Sequence, residues 1–129
     1  MRPPSRAADR VNERRQRLGR GRWGEFAASA LLLAKGYRIL ARRHETPYGE
    51  VDIIAARRDR VAFIEVKTRA TFADAEAALT PAQGARIARA ADYWLAHHPA
   101  YLDRQVGLDA ILVAPRNWPR HIPNALDRM

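Results

Sequence analysis

The chain has 129 residues, enough for one domain with a real core, and its 47% hydrophobic and 29% charged content is ordinary for a soluble globular protein. It contains no cysteine, which excludes disulfides and thiolate metal sites. The net charge is +9, but residues 1–22 hold eight arginines against Asp9 and Glu13, so the remainder of the chain is only mildly basic. No apolar run approaches the roughly 18 residues that suggest a membrane span, and no apolar segment follows the first arginines as in a signal peptide. A cytoplasmic protein with no membrane partner is expected.

Residues 1–20 contain Pro-Pro, clustered arginine and almost no large apolar side chains, and read as a flexible basic arm. From Trp23 the pattern changes. Trp23, Phe26, Ala27, Ala30, Leu31 and Ala34 recur at helical spacing, and this stripe, with Trp23 in it, is expected to face the core. Gly36 supplies the stop. Tyr37–Arg43 reads as a first strand and "HETPYG" as a loop. Two strands lie within "GEVDIIAARRDRVAFIEVK", and a loop follows through "TRATFADAEAA". A second helix starts at Thr80 as N-cap with Pro81 in its first turn, and buries Ile87, Ala91, Trp94 and Leu95. Val106–Val113 is a fourth strand, and the proline-rich end is read as irregular. The order helix, three strands, helix, strand points to one α/β domain over residues 21–129.

Asp52, Glu65 and Lys67 interrupt strands that otherwise read as apolar. A hairpin centred between Arg58 and Asp59 pairs residues whose numbers sum to 117, which sets Asp52 opposite Glu65 and Glu50 opposite Lys67. Arg-Asp is not a favoured two-residue turn, so a longer, evenly extended loop is expected. Alternation places Glu50, Asp52 and Ile54 on one face and Val51 and Ile53 on the other. Opposed side chains on one face have Cβ atoms about 4.5–5.5 Å apart, and like charges there destabilise the sheet. Two readings satisfy the pattern. One is a cross-strand salt-bridge ladder on a solvated face, with Glu50 on Lys67 and Asp52 on an arginine. The other is a divalent cation held by carboxylates, with Lys67 orienting water or stabilising charge on a phosphate.

Asp52, a twelve-residue gap and then Glu65-Val66-Lys67 resemble the D…(E/D)-x-K signature of the PD-(D/E)XK nuclease superfamily. "GRWGEFAASALLLAKGYRIL", "GEVDIIA", "FIEVKTRA", "LTPAQGARIARAADYWL", "VGLDAILV" and "HIPNALD" together resemble, in order, the YraN family of uncharacterised bacterial proteins. The resemblance covers about Gly21 to Asp127. It implies a restriction-endonuclease-like core with a mixed sheet flanked by helices, Asp52, Glu65 and Glu25 as ligands of Mg²⁺ or Mn²⁺, and Lys67 as the catalytic lysine. It further implies DNA as partner, with branched or structured DNA among its substrates. Thr68, Arg69, Gln83, Arg86, Arg20 and Arg22 are the candidates for nucleic-acid contact. Gln83 stands where that family usually carries a lysine, and Arg43 where asparagine is common. A nucleic-acid-binding module with the same fold and no turnover is the alternative. A structural partner that docks through the arm is a third reading, and a homodimer stays open.

Overall fold

The computed structural model describes residues 22–127; the expected arm over residues 1–20, and with it Arg20, lies outside them. Runs of Val, Ile, Ala and Phe build the sheet, because branched and aromatic side chains pack well on a pleated surface. β1 (Arg38–Thr46), β2 (Gly49–Arg57), β3 (Arg60–Thr68), β4 (Gln105–Val113) and β5 (Arg120–Ile122) lie in that order across it. β3 and β4 run parallel and the other neighbours antiparallel, so the sheet is mixed. A helix over residues 22–34, α1, covers one face. α2 (Phe72–Ala77) and α3 (Pro81–Ala96) cover the other. The expected order of helix, three strands, helix, strand is borne out, and the architecture is consistent with a restriction-endonuclease-like core.

The β2–β3 register is the one that summing to 117 gives, from Ile53↔Ile64 to Arg57↔Arg60. The connecting turn, however, is only Arg58 and Asp59, shorter than expected. Arg58 takes a φ of +54°, and the turn carbonyls are held from outside the hairpin. Arg104 donates to the Arg58 carbonyl and the Gln105 amide to that of Asp59. That tertiary grip stabilises a turn that local preference disfavours.

Two cores result. Val51, Ile54, Val61, Phe63 and Leu112 pack with Ile87, Ala91 and Trp94 beneath α3. Ile53, Ala55, Ile64 and Ile111 pack with Ala28 and Leu32 beneath α1. The buried face of α3 is the expected one, and its Thr80 cap with Pro81 in the first turn is present. α1 is turned from expectation: Trp23 is 48% and Phe26 74% exposed, whereas Gly24, Ala28 and Leu32 face the sheet. The reason is close approach, since a Cβ on Gly24 would collide with Thr68 Oγ1 on β3. Small residues bring the helix onto the sheet and leave the aromatic ones outside.

Three further elements differ from expectation. β1 runs on through His44–Thr46, leaving a short turn at Pro47 and Tyr48. α2 interrupts the expected loop, capped by the Thr71 hydroxyl accepting from the Asp74 amide. β5 forms in the proline-rich end, anchored through His121. His121 Nε2 donates to Asp109, a fully buried acid on β4 that also accepts from both terminal nitrogens of Arg60 and from the Asn124 amide. Lys35 donates to His121 Nδ1, which fixes Nε2 as the nitrogen bearing hydrogen. Lys35 titrates below the usual lysine range through burial and the neighbouring Arg57.

Candidate metal centre

The ladder between β2 and β3 stops at Ile53↔Ile64, one residue short of Asp52. Beyond it the Val66 amide donates to Asp52 Oδ2 at 2.8 Å, so a carboxylate takes the place of a ladder carbonyl and the strands part. The alternation slips at the same point: Val51 is buried beneath α3 and Ile53 beneath α1, although they were expected on one face. β1 is irregular opposite. Arg42 pairs with Ile53 and His44 with Val51, while Arg43 between them takes a φ of +48°. Asp52 thus sits where two strands open.

Three further carboxylates converge there. Glu25 arrives from α1, placed by the Gly24–Thr68 approach. Glu50 comes from the start of β2, and an oxygen from each of Glu25, Glu50 and Asp52 lies within 4.8 Å of the others. Glu65 faces Asp52 closely enough to disfavour its charge. Burial, and after it the Glu65 carboxylate, push the Asp52 carboxyl up to about 7, against the opposing pull of the Val66 amide.

The cations nearby are divided among the acids. Arg43 Nε donates to Glu25 Oε2 at 2.6 Å. Arg86 on α3 spans the opening, donating to the Glu50 carbonyl at 2.8 Å and to Glu65 Oε2 at 3.3 Å. Lys67 Nζ lies 3.4 Å from Glu65 Oε1 and is mostly buried. Gly49 takes a φ of +116°, a conformation that residues with side chains rarely adopt, and it lies against the Arg86 guanidinium. Among the described residues Asp52 and Glu50 have no ion-pair partner.

The structure therefore gathers all four residues expected to be catalytic, with a difference in grouping. Glu50 completes the close carboxylate triad with Glu25 and Asp52, while Glu65 is held by Arg86 and Lys67. The ladder with Glu50 on Lys67 does not form, because Lys67 turns to Glu65. Alternation had already placed Glu50 beside Asp52; the signal was present and was given to the wrong partner. The oxygen-only donor set fits a hard divalent cation. Asp52 Oδ1 and Glu25 Oε1 make no hydrogen bond or ion pair with the described residues.

The residues expected to touch nucleic acid are more scattered. Arg69 is exposed and folds back on the Thr68 carbonyl, and Thr68 packs on Gly24. Gln83 is occupied in the α3 capping box, its amide oxygen accepting from the Thr80 amide. Arg86 is taken up by Glu65 and the Glu50 carbonyl. Arg22 is exposed on α1 beside Glu25.

The model of an uncharacterised protein family, UPF0102, matches residues 24–113, which include Glu25, Glu50, Asp52, Glu65 and Lys67. A UPF0102 protein of Rhodopseudomonas palustris (strain BisB18) is 53% identical over 103 residues, covering 80% of this chain and 76% of the relative. A UPF0102 protein of Bradyrhizobium sp. (strain BTAi1) is 56% identical over 103 residues, covering 80% and 76%. One from Methylorubrum extorquens (strain PA1) is 47% identical over 127 residues, covering 98% of this chain and 97% of the relative.

Proposed function

Because the chain belongs to the uncharacterised family UPF0102, whose name carries no activity, we propose its function from the site: a metal-dependent endonuclease that hydrolyses phosphodiesters in DNA. Asp52 and Glu65-Val66-Lys67 on a hairpin that opens at the acid support a place in the PD-(D/E)XK superfamily. The observation that carries the reading is the convergence of three carboxylates, from α1, β2 and β3, on Asp52.

Asp52, Glu25 and Glu50 would hold Mg²⁺ or Mn²⁺, with Glu65 completing the donor set. A divalent ion there supplies a Lewis acid for the phosphodiester. Lys67, held beside Glu65, positions the attacking water or offsets charge that builds on the phosphate oxygens. Arg86 fixes Glu65 and leaves Asp52 uncompensated, so the site keeps its appetite for a cation. Arg69 and Arg22, both exposed, supply phosphate contacts whose strength falls with salt.

Purified protein with Mg²⁺ or Mn²⁺ is expected to cut at least one of linear, nicked, flap and four-way-junction DNA. Asp52→Ala and Lys67→Ala should each lower the rate by about 10²–10⁴-fold, the range for a positioned catalytic group. No cleavage of any substrate, or cleavage indifferent to both substitutions, sinks the proposal. A binding module without turnover is favoured by one observation: Gln83, neutral and held in the α3 cap, brings no positive charge to the carboxylates. It predicts salt-sensitive DNA binding and no product.

A further inference from the structure

Beside the carboxylates lies a cavity of about 420 Å³, within the usual range for small-ligand sites. Its lining includes Phe26, Leu33 and Ser29 of α1, with Arg22 and Arg42 at its rim, and it shares Glu25 with the metal centre. Phe26 is 74% exposed although it is a large apolar ring on a helix. Ser29 is buried, and its hydroxyl has no hydrogen-bond partner among the described residues. A buried hydroxyl without a partner is costly, and because its oxygen is closed to solvent as placed, it meets a ligand atom by rotating towards the cavity that Ser29 lines. Neither Arg22 nor Arg42 is in an ion pair among the described residues, and Glu25, the one acid in the lining, is already neutralised by Arg43.

An aromatic face, a lone polar partner and cations at the rim match a flat heteroaromatic group carried on a phosphate chain. We propose that this cavity takes an unpaired nucleobase, stacked on Phe26, with Arg22 and Arg42 on the flanking phosphates. The inference deepens the nuclease reading, and rests on it for the choice of nucleic acid as ligand. A paired base cannot enter, because its faces are covered within the duplex and extrusion costs a few kcal/mol. The site therefore selects DNA with an unpaired nucleotide close to the phosphodiester presented to the carboxylates.

The test uses the full chain in chelator, so that no cleavage or metal is involved. Two oligonucleotide duplexes of the same sequence are compared, one fully paired and one with a single unpaired 5-iodouracil. The unpaired duplex is expected to bind about tenfold more tightly, and irradiation should crosslink it to the tryptic peptide Trp23–Lys35. Phe26→Ala should cost the unpaired duplex about five- to tenfold in affinity, the lower part of the range for one base–aromatic stack and enough to erase most of the preference. It should leave the paired duplex unchanged. Phe26→Tyr should keep the preference, whereas Phe26→Leu, apolar but without a π-face, should lose most of it. Equal affinity for the two duplexes overturns the proposal, as does a preference untouched by Phe26→Ala or a crosslink elsewhere. If Phe26→Ala changes sedimentation but not DNA binding, the face belongs to a second copy of this chain and the proposal fails. Metal binding is absent from this measurement, so it can fail while the cleavage and metal results stand, and the reverse.

Discussion

Asp52 and Asp109 are both acids set in apolar strands of one sheet, and their surroundings treat them in opposite ways. Asp109 is fully buried, and burial alone would raise its pKa. Hydrogen bonds from His121 and Arg60, then the Asn124 amide and the Arg60 charge, outweigh that and hold it down at about 2. Every oxygen is partnered, as buried charge requires. Asp52 is pushed up to about 7 by burial and, after it, by the Glu65 carboxylate, because its one strong donor, the Val66 amide, does not offset them. A fold able to satisfy one strand carboxylate fully leaves the other short of positive charge. The first holds β4, β5 and the hairpin together; the second has no ion-pair partner among the described residues.

The largest expected effect lies at the satisfied acid. Asp109→Asn leaves the Arg60 guanidinium without its bidentate partner and removes the anion that His121 serves. Breaking a buried pair of this kind costs about 3–5 kcal/mol, read from denaturant melts at neutral pH. Because the folded pKa lies below the unfolded value near 3.9, this contribution is present above about pH 4 and is lost as pH falls towards 2. A loss below about 1 kcal/mol would erase the contrast, since it would make Asp109 no more structural than a surface acid.

Both acids carry the same signal in sequence, a charge inside an apolar strand, and only Asp52 was read as functional. The difference lies in partners that are distant along the chain. Arg60 and His121 reach Asp109 from other strands, and nothing local announces them. For Asp52, the hairpin's alternation and register set Glu65 opposite by counting, and the resemblance of the flanking segments to the YraN family chose the metal site over the salt-bridge ladder. The same counting found Glu50 and then misassigned it, because the opening of the strands at Asp52 breaks the pairing with Lys67. The α1 face was misread for a physical reason: apolar periodicity marks large residues, whereas this helix docks by Gly24 and Ala28. α2 and β5, six and three residues long, leave too short a pattern to read.

A smaller effect tests how the carboxylates are brought together. Gly24→Ala forces a methyl into Thr68 Oγ1, and overpacking of this kind costs about 1–3 kcal/mol. Its sharper consequence is on Glu25, the neighbouring residue, which should move away from Glu50 and Asp52. Stabilisation of the protein by Mn²⁺ in thermal melts should therefore shrink beyond what the lost stability explains. Gly24→Ala paired with Thr68→Ala, which vacates the space, should recover most of both. A Gly24→Ala variant with full metal response would show that the α1 approach does not set the site.

The smallest effect has the opposite sign at the two acids, and it separates them most cleanly. Asp52→Asn keeps an oxygen to accept from the Val66 amide and removes the charge that burial and Glu65 disfavour. The folded pKa of about 7 lies above the unfolded value near 3.9. Without metal, the stability linked to this group is therefore full below about pH 4 and is lost as pH rises towards 7. Asparagine does not titrate, so the variant should follow a flatter curve and at pH 8 exceed the parent by about 1 kcal/mol, the full shift being reduced by partial solvation. Mg²⁺ or Mn²⁺ reverses the ranking. Its binding requires the ionised carboxylate, so it should stabilise the parent increasingly as pH passes about 7 and leave Asp52→Asn unmoved. Parallel pH curves without metal, or an equal metal response in both proteins, would place the uncompensated charge somewhere other than Asp52.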